Sequence, residues 1–377
     1  MTTARPWAII AGGGTGGHIT PAIAIGRALV SNGRSADEIL FVGGRHGIER
    51  RMVPDAGFEI VTLAGRGIER RLSLRAVRAV VSVVAGTVAG VWLVIRRRPA
   101  VVVSVGGYAA VPCIVGAALA RIPVVLAEAN AVPGAANRLA ARICRCVSAV
   151  TFPGTPLPSA HVTGNPVRPE VVAVDRTGQR DAARAELGVP LDRRLVLVFG
   201  GSLGARRINE SVRSALLLLA HPNEVAIHHV VGARDWPAWS ADPPAGPDDV
   251  HYRSSEFEER LARWYEAAEL AVTRAGGSTV AELACAGLPS ILVPLPDSPG
   301  DHQTANARAM ADAGAAVWLT DAELTGERLA AHIDDLVRSP SKLDEMSAAA
   351  RSVARPDAAA RVADLVEVHA RRAKDGA

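Results

Sequence analysis

The sequence predicts an α/β protein with two doubly wound parallel-sheet domains, and three observations lead to that fold class. The chain has 377 residues, whereas a single domain typically has about 150. An apolar run, a glycine loop and a segment of helical spacing follow one another from Trp7, and the same plan returns from Leu195. Further apolar runs alternate with helical segments, which is typical of parallel strands joined by crossover helices.

In the first half of the chain, apolar runs bounded by glycines and prolines predict a series of strands. They are expected at Trp7–Ile10, Glu38–Gly43, Phe58–Leu63, Ala100–Val105, Pro123–Ala127, Cys146–Phe152 and Ala160–Thr163. Helical spacing predicts helices at Pro21–Asn32, Gly47–Ala56 and Ala79–Ile95. Prolines and a glycine in Gly164–Pro169 end regular structure, so we place the domain junction there and expect the first domain at residues 1–165.

The second domain, expected at residues 166–355, repeats the alternation. Its strands are expected at Leu195–Phe199, Val225–Val231, Val250–Arg253, Leu270–Thr273, Ser290–Pro294 and Ala316–Leu319. Helices are expected at Arg176–Leu187 and Ile208–Leu219, and a last amphipathic helix at Asp357–Arg372. The Pro-rich segment Asp235–Asp249 predicts an exposed, poorly ordered loop that carries Trp236 and Trp239.

Composition excludes several classes of protein. The net charge is +4, but basic and acidic residues are interspersed and aromatic residues make up only 4% of the chain, which argues against a nucleic-acid-binding protein. The four cysteines include no C-x-x-C pair, so we expect a reducing compartment with neither disulfides nor a zinc site. Residues 1–11 lack the pattern of a signal peptide.

The first glycine loop carries the most direct chemical signal. Glycines at five of the positions from Gly12 to Gly17 let the backbone approach a ligand, and the helix that follows offers N–H groups to a phosphate or a diphosphate-linked sugar. His18 lies at the junction, where its imidazole would face the bound group. Two alternatives are a structural turn and a dinucleotide loop, for which Asp37 or Glu38 only loosely supplies the expected acidic residue.

The segment Ala79–Ile95 has 17 residues without a charge. As a helix it would be about 25 Å long, short of the roughly 30 Å hydrocarbon core of a bilayer. It is therefore either a membrane span, a buried crossover helix or a helix that also touches a membrane surface. A group of arginines precedes it and predicts either a solvated helix face or contact with anionic lipid. These arginines, called the basic collar below, are Arg66, Arg70, Arg71, Arg75 and Arg78.

Further polar candidates follow predicted strands, at the end where open parallel sheets bind ligands. Glu128 and Asn130 follow one strand, with loop capping as the alternative role. In Arg274–Glu282, a hydroxyl residue can cap a helix, and Glu282 can accept from ribose hydroxyls or act as a capping-box acid. The amides of Asp301–Ala307 suit hydrogen bonds to sugar hydroxyls.

Taken together, these motifs resemble those of the MurG family of bacterial glycosyltransferases, and the match covers nearly the whole chain. The family's blocks appear in order as G-G-T-G-G-H (Gly13 to His18), G-G-Y (Gly106 to Tyr108), E-x-N (Glu128 to Asn130), G-N-P-V-R (Gly164 to Arg168), G-G-S-x-G-A (Gly200 to Ala205), R-x-G-x-x-T-V-x-E (Arg274 to Glu282) and D-H-Q-T-x-N-A (Asp301 to Ala307). Seven blocks in order are far more specific than any single one.

The resemblance implies a GT-B fold, in which two Rossmann-like domains face a cleft and a C-terminal helix, here 357–373, returns to the first domain. It implies an inverting transferase that moves N-acetylglucosamine from UDP-N-acetylglucosamine to undecaprenyl-diphosphate-linked N-acetylmuramoyl-pentapeptide, without a cofactor or a bound metal. Members are peripheral proteins on the cytoplasmic face of the inner membrane. The donor residues that the resemblance implies are Thr15, Gly16, Gly17, Asn130, Arg168, Ser202, Gly277, Ser278, Thr279, Glu282 and Gln303.

His18 resembles the family's candidate base, with Glu128 or water as the alternative. The chain departs from the family's pattern near the cleft, at Ala127, Ala129, Leu203 and Glu258. These departures favour, as a rival reading, a related protein that has another acceptor or binds nucleotide sugar or lipid without catalysis. A UDP-N-acetylglucosamine 2-epimerase shares the two-domain plan, but it would need a carboxylate-rich cleft and no lipid-facing surface.

Overall fold

The computed structural model describes residues 5–14, 16–64, 74–201, 203–244 and 250–375, with the side chains of 74–81 and 371–375 left aside. The chain folds into two compact units. The first unit contains the described residues up to Arg168 and those from Arg355 onward, and the second unit is Pro169–Ala354. Both units are α/β, as the alternation of apolar runs and helical segments predicts.

Strands β1 to β7 belong to the first unit and β8 to β13 to the second. In chain order they are Ala8–Ala11, Ile39–Gly44, Glu59–Leu63, Val101–Ser104, Val124–Glu128, Cys146–Val150, Ala160–Val162, Arg194–Phe199, Val225–Val230, His251–Ser255, Leu270–Thr273, Ser290–Leu292 and Ala316–Trp318.

Helices α1 to α5 and α15 belong to the first unit and α6 to α14 to the second. In chain order they are Gly16–Ser31, Glu49–Asp55, Leu74–Arg97, Ala110–Ala120, Ala135–Ile143, Pro169–Val172, Arg180–Leu187, Arg206–Ala215, Trp236–Ala241, Leu261–Ala267, Gly277–Ala286, His302–Asp312, Gly326–Val337, Pro340–Val353 and Ala358–Asp375.

All strand pairs in both sheets are parallel. The first sheet has the order β3-β2-β1-β4-β5-β6-β7 and the second has the order β10-β9-β8-β11-β12-β13. Because both faces of a doubly wound sheet are covered by helices, its central strands consist of apolar residues throughout, as in Val101–Val103 and Leu195–Val198, which are at most 1% exposed. The prediction of two doubly wound parallel sheets is confirmed.

Alternate residues of β1 pack into two different cores of the first unit. Ile10 faces the core that contains α1 and the last helix, where Val362 and Val366 of α15 are fully buried. Ile9 faces the opposite core, which α4 and α5 cover with residues such as Ile114. The last helix is therefore part of the first unit, although it follows the second unit in the chain.

Two local predictions need correction. The first helix begins at Gly16, five residues before the predicted start, so Pro21 lies inside it. The hydrogen bond that Pro21 cannot donate is offset by burial of Ile19 and Ile23 in the sheet's core. The loop prediction at Trp239 was wrong, because this side chain is 6% exposed, lies in α9 and meets the His229 ring edge-on at 4.9 Å.

The long apolar helix α3 presents one apolar face that the unit leaves uncovered. Val84, Val88, Trp92 and Ile95 are 41–63% exposed and follow one another at helical spacing. Val94, in contrast, is fully buried against the sheet. No helix among the described residues is both long and apolar enough to cross a membrane. Residues 66, 70 and 71 of the basic collar lie outside the described residues, and only the backbone of residues 75 and 78 is described.

Two adjacent buried histidines on β9 give the second unit a pH-dependent stability. His228 stacks on Trp264 with ring centroids 3.6 Å apart, and its Nε2 lies 3.6 Å from the Glu258 carboxylate. Burial lowers the pKa of His228 from 6.5 to about 4, although Glu258 opposes the shift. Burial, with His228 nearby, lowers the pKa of His229 from 6.5 to about 3. The folded unit therefore keeps both rings neutral where the unfolded chain takes up protons.

We expect the free energy of unfolding of the second unit to decrease as the pH falls from 7 to 5. The stability is complete above about pH 6.5 and is lost toward the lower, folded pKa values, at about 2 kcal/mol per histidine by pH 5. His228→Phe keeps an aromatic ring on Trp264 and should remove about half of the decrease. Urea unfolding at both pH values measures it, and an unchanged pH dependence in His228→Phe would contradict the assignment.

Candidate functional site

In both sheets the chain order reverses beside a central strand, between β1 and β4 in the first sheet and between β8 and β11 in the second. Ligands of open parallel sheets bind beyond the carboxyl ends of the strands at such a switch point. The loops after β1, β2, β4 and β5 are called the first site below. The loops after β8, β9, β11 and β12 are called the second site. The motifs singled out in the sequence lie in these two groups of loops.

A buried carboxylate shapes the first glycine loop. Gly13 and Gly14 have φ values of 149° and 95°, which favour glycine. The side chain of Glu49 is fully buried, and its carboxylate accepts from the backbone N–H of Gly14 at 3.2 Å and of Gly44 at 2.8 Å. Glu49 therefore ties the loop after β1 to the loop after β2. The sequence analysis missed this residue, since a charged residue at a helix start carries no signal of burial.

The G-G-Y loop after β4 packs directly on the first glycine loop. A Cβ atom at Gly107 would lie 2.5 Å from the carbonyl oxygen of Gly13, so only glycine fits there. Tyr108 is 52% exposed, and its ring carbon Cε1 would lie 3.3 Å from a Cβ atom at Gly14. Partial burial, followed by the nearby Glu49 carboxylate, raises the pKa of Tyr108. The two loops thus form one continuous surface.

His18 lies in the first turn of α1, half-buried, beside that surface. Its ring atoms Cδ2 and Nε2 are both 3.4 Å from the position of a Cβ atom at Gly106. The same position is 4.0 Å from Nδ2 of Asn137. Gly106 therefore leaves the space through which the imidazole approaches the loop after β4 and the amide of Asn137.

Glu128 ends β5 and accepts four hydrogen bonds. Its Oε1 accepts from the backbone N–H and from Nδ2 of Asn130, both at 3.1 Å, and its Oε2 accepts from Gly134 N and Asn137 Nδ2, both at 2.9 Å. It is 6% exposed. Because its lone pairs are occupied by N–H donors, Glu128 is better suited to orient Asn130 than to take up a proton.

Asn137 extends this network to the loop beside His18. Its Oδ1 accepts from the Ser104 hydroxyl at 2.7 Å, and the Ser104 oxygen accepts from the N–H of Gly106 at 3.4 Å. Asn137 and Ser104 are almost fully buried. They link Glu128 to the glycine that contacts His18, and the sequence analysis missed both, because only the folded chain places them between two predicted site residues.

In the second site, the loop after β8 is held by a close backbone contact. Gly204 has a φ of 78°, and a Cβ atom there would lie 2.0 Å from the carbonyl oxygen of Val231. Gly232 packs on Gly204 from the loop after β9, where a Cβ atom would lie 2.2 Å from the Gly204 nitrogen. Ser202 lies outside the described residues. Leu203, where the family pattern has a polar residue, is 66% exposed.

The loop after β11 is clamped by polar side chains from two neighbouring loops. Arg274 donates from Nη1 to the carbonyl oxygens of Val293 and Pro294, at 3.2 and 3.0 Å, and to Asp321 at 2.6 Å. Asn306, which is fully buried, donates to the carbonyl oxygen of Ala275 at 3.0 Å. The clamps fix the entry into α11, whose first turn contains Gly277, Ser278 and Thr279. The N–H groups of this turn face the mouth of the second site.

Glu282 lies one turn further into α11 and is 8% exposed. The hydroxyl of Tyr265 donates to its Oε2 at 3.0 Å. Tyr265 is fully buried, and its ring packs at 6.2 Å from that of Phe199 at the end of β8. The carboxylate is thus held in place from below by a residue that the sequence analysis missed. A tyrosine on an amphipathic helix gave no sign of a polar partner.

Gln303 lies in the first turn of α12 and is half-buried. Its Oε1 accepts from the backbone N–H of Leu295 at 3.0 Å, and its own N–H donates to the Ser298 hydroxyl at 3.3 Å. Since the side-chain oxygen is engaged, the amide nitrogen is the group oriented toward a ligand's acceptors.

Family models match both units of the chain. Residues 8–149 match the glycosyltransferase family 28 N-terminal domain, and residues 195–362 match the glycosyltransferase family 28 C-terminal domain. The chain belongs to glycosyltransferase family 28. The resemblance to MurG proteins in the sequence analysis is thereby confirmed in its family and, since the MurG structure described next shares the fold, in its GT-B fold class.

Relatives of this family 28 chain include two curated transferases, both named UDP-N-acetylglucosamine--N-acetylmuramyl-(pentapeptide) pyrophosphoryl-undecaprenol N-acetylglucosamine transferase. The protein from Moorella thermoacetica is 41% identical over 93% of this chain and 95% of its own length. That from Clavibacter sepedonicus is 39% identical over 95% of each. The crystal structure of Acinetobacter baumannii MurG is 30% identical, with a TM-score of 0.75, and covers 96% of this chain and 99% of that one.

The remaining residues implied by the resemblance to family 28 proteins lie in several places. Asn130 is half-buried beside Glu128, and Arg168 is half-buried at the last position of the first unit. Gly16 and Gly17 begin α1 next to His18, and Thr15 lies outside the described residues. The first unit thus brings together His18, Glu128 and Asn130, and the second unit brings together Gly277, Glu282 and Gln303 at the carboxyl end of its sheet.

Proposed function

We propose that this family 28 chain transfers N-acetylglucosamine from UDP-N-acetylglucosamine to undecaprenyl-diphosphate-linked N-acetylmuramoyl-pentapeptide, the step that converts lipid I to lipid II in peptidoglycan synthesis. Curated relatives at 39–41% identity over nearly their full length are named for this reaction. The structural observation that carries the proposal is the second site, where Glu282 is buried one turn below the N–H groups of α11. A helix start above a fixed carboxylate suits a nucleoside diphosphate.

The donor is expected to bind at the second site. The ribose hydroxyls donate to Glu282, whose orientation is set by Tyr265. The diphosphate lies over the first turn of α11, with the glycine loop Gly200–Gly204 beside it. As the bond to the sugar breaks, negative charge develops on the departing UDP, and fixed N–H donors stabilise that charge without the need for a cation.

The acceptor is expected to bind at the first site, where the two packed glycine loops expose backbone to its diphosphate. The acceptor hydroxyl oxygen attacks the anomeric carbon while the bond from that carbon to the UDP oxygen breaks. The proton of the hydroxyl goes to His18, and the electron pair of the broken bond leaves with UDP. Attack opposite to the leaving group converts the α-linked donor into a β-linked product.

The reaction is tested by UDP release from UDP-N-acetylglucosamine, measured with and without lipid I. Release that requires lipid I, together with formation of lipid II, supports the transferase. A binding protein without catalysis, the role that Ala127, Ala129 and Leu203 keep open, would release no UDP under either condition. An epimerase would convert the donor without lipid I; the Listeria monocytogenes putative 2-epimerase shares the fold at a TM-score of 0.70 but only 14% identity.

For localisation, we infer a peripheral association of the first unit with the cytoplasmic face of the inner membrane. The exposed face of α3 carries Val84, Val88, Trp92 and Ile95, a row suited to the boundary between headgroups and acyl chains. The guanidinium of Arg96 lies 4.9 Å from the Trp92 ring centre, so a cation adjoins this apolar face. The basic collar precedes the same helix in the sequence.

Neutralising part of the basic collar is expected to weaken binding to vesicles that contain anionic lipid. Each basic residue near the surface contributes about 1 kcal/mol, so Arg70→Gln with Arg71→Gln should reduce binding roughly 30-fold. Added salt should weaken binding of the unmodified protein in the same direction. Vesicle co-sedimentation measures both effects, and Leu217→Ser, at a 64% exposed position of the second unit, is the control. Binding that ignores salt and the arginines would contradict the inference.

A further inference from the structure

At the amino ends of the strands in the second unit lies a cavity with a volume of about 190 Å³. Its charged lining consists of Arg176, Arg180, Arg194, Arg351, Glu269 and Asp344. Four guanidinium groups thus face two carboxylates, and the cavity, called the arginine cavity below, carries an excess of positive charge. Concave sites of one sign concentrate counter-ions of the other.

The arginine cavity is separate from the second site. Glu269 directly precedes β11, whereas Arg274 and the start of α11 follow its other end. The four residues of β11 span about 13 Å at roughly 3.3 Å per residue, so the two sites lie at opposite edges of the same sheet. The donor proposed above therefore does not account for the cavity's charge.

Two of the lining groups have structural tasks. Arg176 donates to the carbonyl oxygens of Ala268 and Gly287 and to the hydroxyl of Ser347, which fixes the segment before α7 to the unit. Glu269 uses Oε2 to accept from the N–H of Leu195 at 2.7 Å and from the buried Arg184. These contacts consume the hydrogen-bonding capacity of Arg176 and of one oxygen of Glu269.

Two other groups at the arginine cavity have unmet capacity. Oε1 of Glu269 is buried and makes no hydrogen bond within the described part of the chain, and Arg180 Nη1 lies 3.6 Å away from it. The half-buried Arg194 takes part in no hydrogen bond or ion pair among the described residues. Glu269 is only 6% exposed, so an unpaired oxygen there is costly unless a donor meets it.

The neighbouring charges act on Arg176 in a consistent direction. Burial lowers the pKa of Arg176 to about 10; Glu269 opposes this shift, while Arg351 and Arg180 add to it. Like charges therefore crowd one wall of the cavity, and an anion placed among them would relieve the repulsion.

We propose that the arginine cavity binds a small oxyanion that also carries a hydroxyl group, of the class of hydrogen phosphate or a hydroxylated phosphate monoester such as a sugar phosphate. The anionic oxygens accept from Arg194, Arg180 and Arg351. The hydroxyl donates to Oε1 of Glu269. This one ligand class meets both the unpaired cation and the unpaired carboxylate oxygen, whereas a fully deprotonated oxyanion such as sulfate meets only the first.

The test is calorimetric titration of the full chain at pH 7 with inorganic phosphate, glucose 1-phosphate and sulfate, each with and without saturating UDP. We expect saturable binding of phosphate or of the monoester that persists when UDP is present, and sulfate binding at least about tenfold weaker. Which of the two bind tighter identifies the source of the ligand. Arg194→Gln should weaken the binding at least about tenfold, the effect of losing a hydrogen bond between charged groups.

Arg193→Gln is the matched control, because Arg193 adjoins Arg194 in sequence but does not line the arginine cavity. It should leave the dissociation constant within about twofold, and Arg351→Gln serves as a second cavity variant if Arg194→Gln does not fold. Binding that UDP abolishes, binding equally weakened by both single substitutions, or binding as tight for sulfate as for phosphate would overturn the proposal. Loss of UDP binding itself would instead count against the proposed donor site.

Discussion

His18→Ala is expected to lower kcat by at least about 100-fold while the KM for the donor changes little. General-base catalysis contributes about 10²- to 10⁴-fold, and an imidazole is able to accept a proton near neutral pH. The position of His18 supports this role, because its Nε2 lies beside Gly106 where the two glycine loops of the first site meet. A loss in kcat alone is the signature of a group that acts in the transition state.

The pH–rate profile separates His18 from Glu128. If His18 is the base, His18→Ala removes the acidic limb of the profile, because no imidazole remains to be protonated. Glu128→Gln, in contrast, should retain that limb and lower activity through Asn130, since Glu128 accepts two hydrogen bonds from that residue. A His18→Ala protein that kept the acidic limb, or lost only affinity, would move the role to Glu128 and leave His18 as a phosphate ligand or helix cap.

Glu282→Ala is expected to reduce kcat/KM for UDP-N-acetylglucosamine roughly 10- to 150-fold. The substitution removes a charged acceptor of the ribose hydroxyls, and hydrogen bonds to charged groups contribute about 1.5–3 kcal/mol. Steady-state kinetics with varied donor at saturating lipid I measure the change. An unchanged KM and kcat would show that Glu282 is only a capping-box acid of α11.

Tyr265→Phe provides a graded companion to this measurement. It removes the hydroxyl that donates to Glu282 at 3.0 Å but keeps the buried ring against Phe199. A neutral hydrogen bond contributes about 0.5–1.5 kcal/mol, so donor KM should rise about 2- to 10-fold while kcat is retained. An effect as large as that of Glu282→Ala would point to disrupted packing and not to the orientation of one carboxylate.

Local chemistry was sufficient to locate the loops of both sites. At Gly13 and Gly14 the chain needs φ values that glycine adopts at little cost, and glycines that follow an apolar run are visible in the sequence. The same holds for Glu282, whose distance from Gly276 and Gly277 places it one helical turn below the start of α11. Such features depend on residues close together in the chain, so they can be read in order.

Features that join distant segments could not be predicted in this way. Glu49 bonds Gly14 from 35 positions away, and Asn137 joins Glu128 to Ser104. Trp239 illustrates the opposite error, since a Pro-rich segment suggested exposure but the ring packs on His229 from another strand. Burial and hydrogen-bond partners across such distances depend on how the helices pack on the sheet.

By itself the sequence determined the class of fold, the family, the glycine loops and the candidate residues His18, Glu128 and Glu282. These follow from short-range periodicity, backbone freedom and motif order, which the chain carries locally. Only the tertiary structure decided that Glu128 is occupied by four N–H donors, that Tyr265 orients Glu282, and that Glu269 and Arg194 meet at the arginine cavity with unmet capacity. The physical reason is that burial and hydrogen-bond satisfaction are properties of groups brought together in space by packing, and parallel sheets bring together residues that lie far apart in sequence.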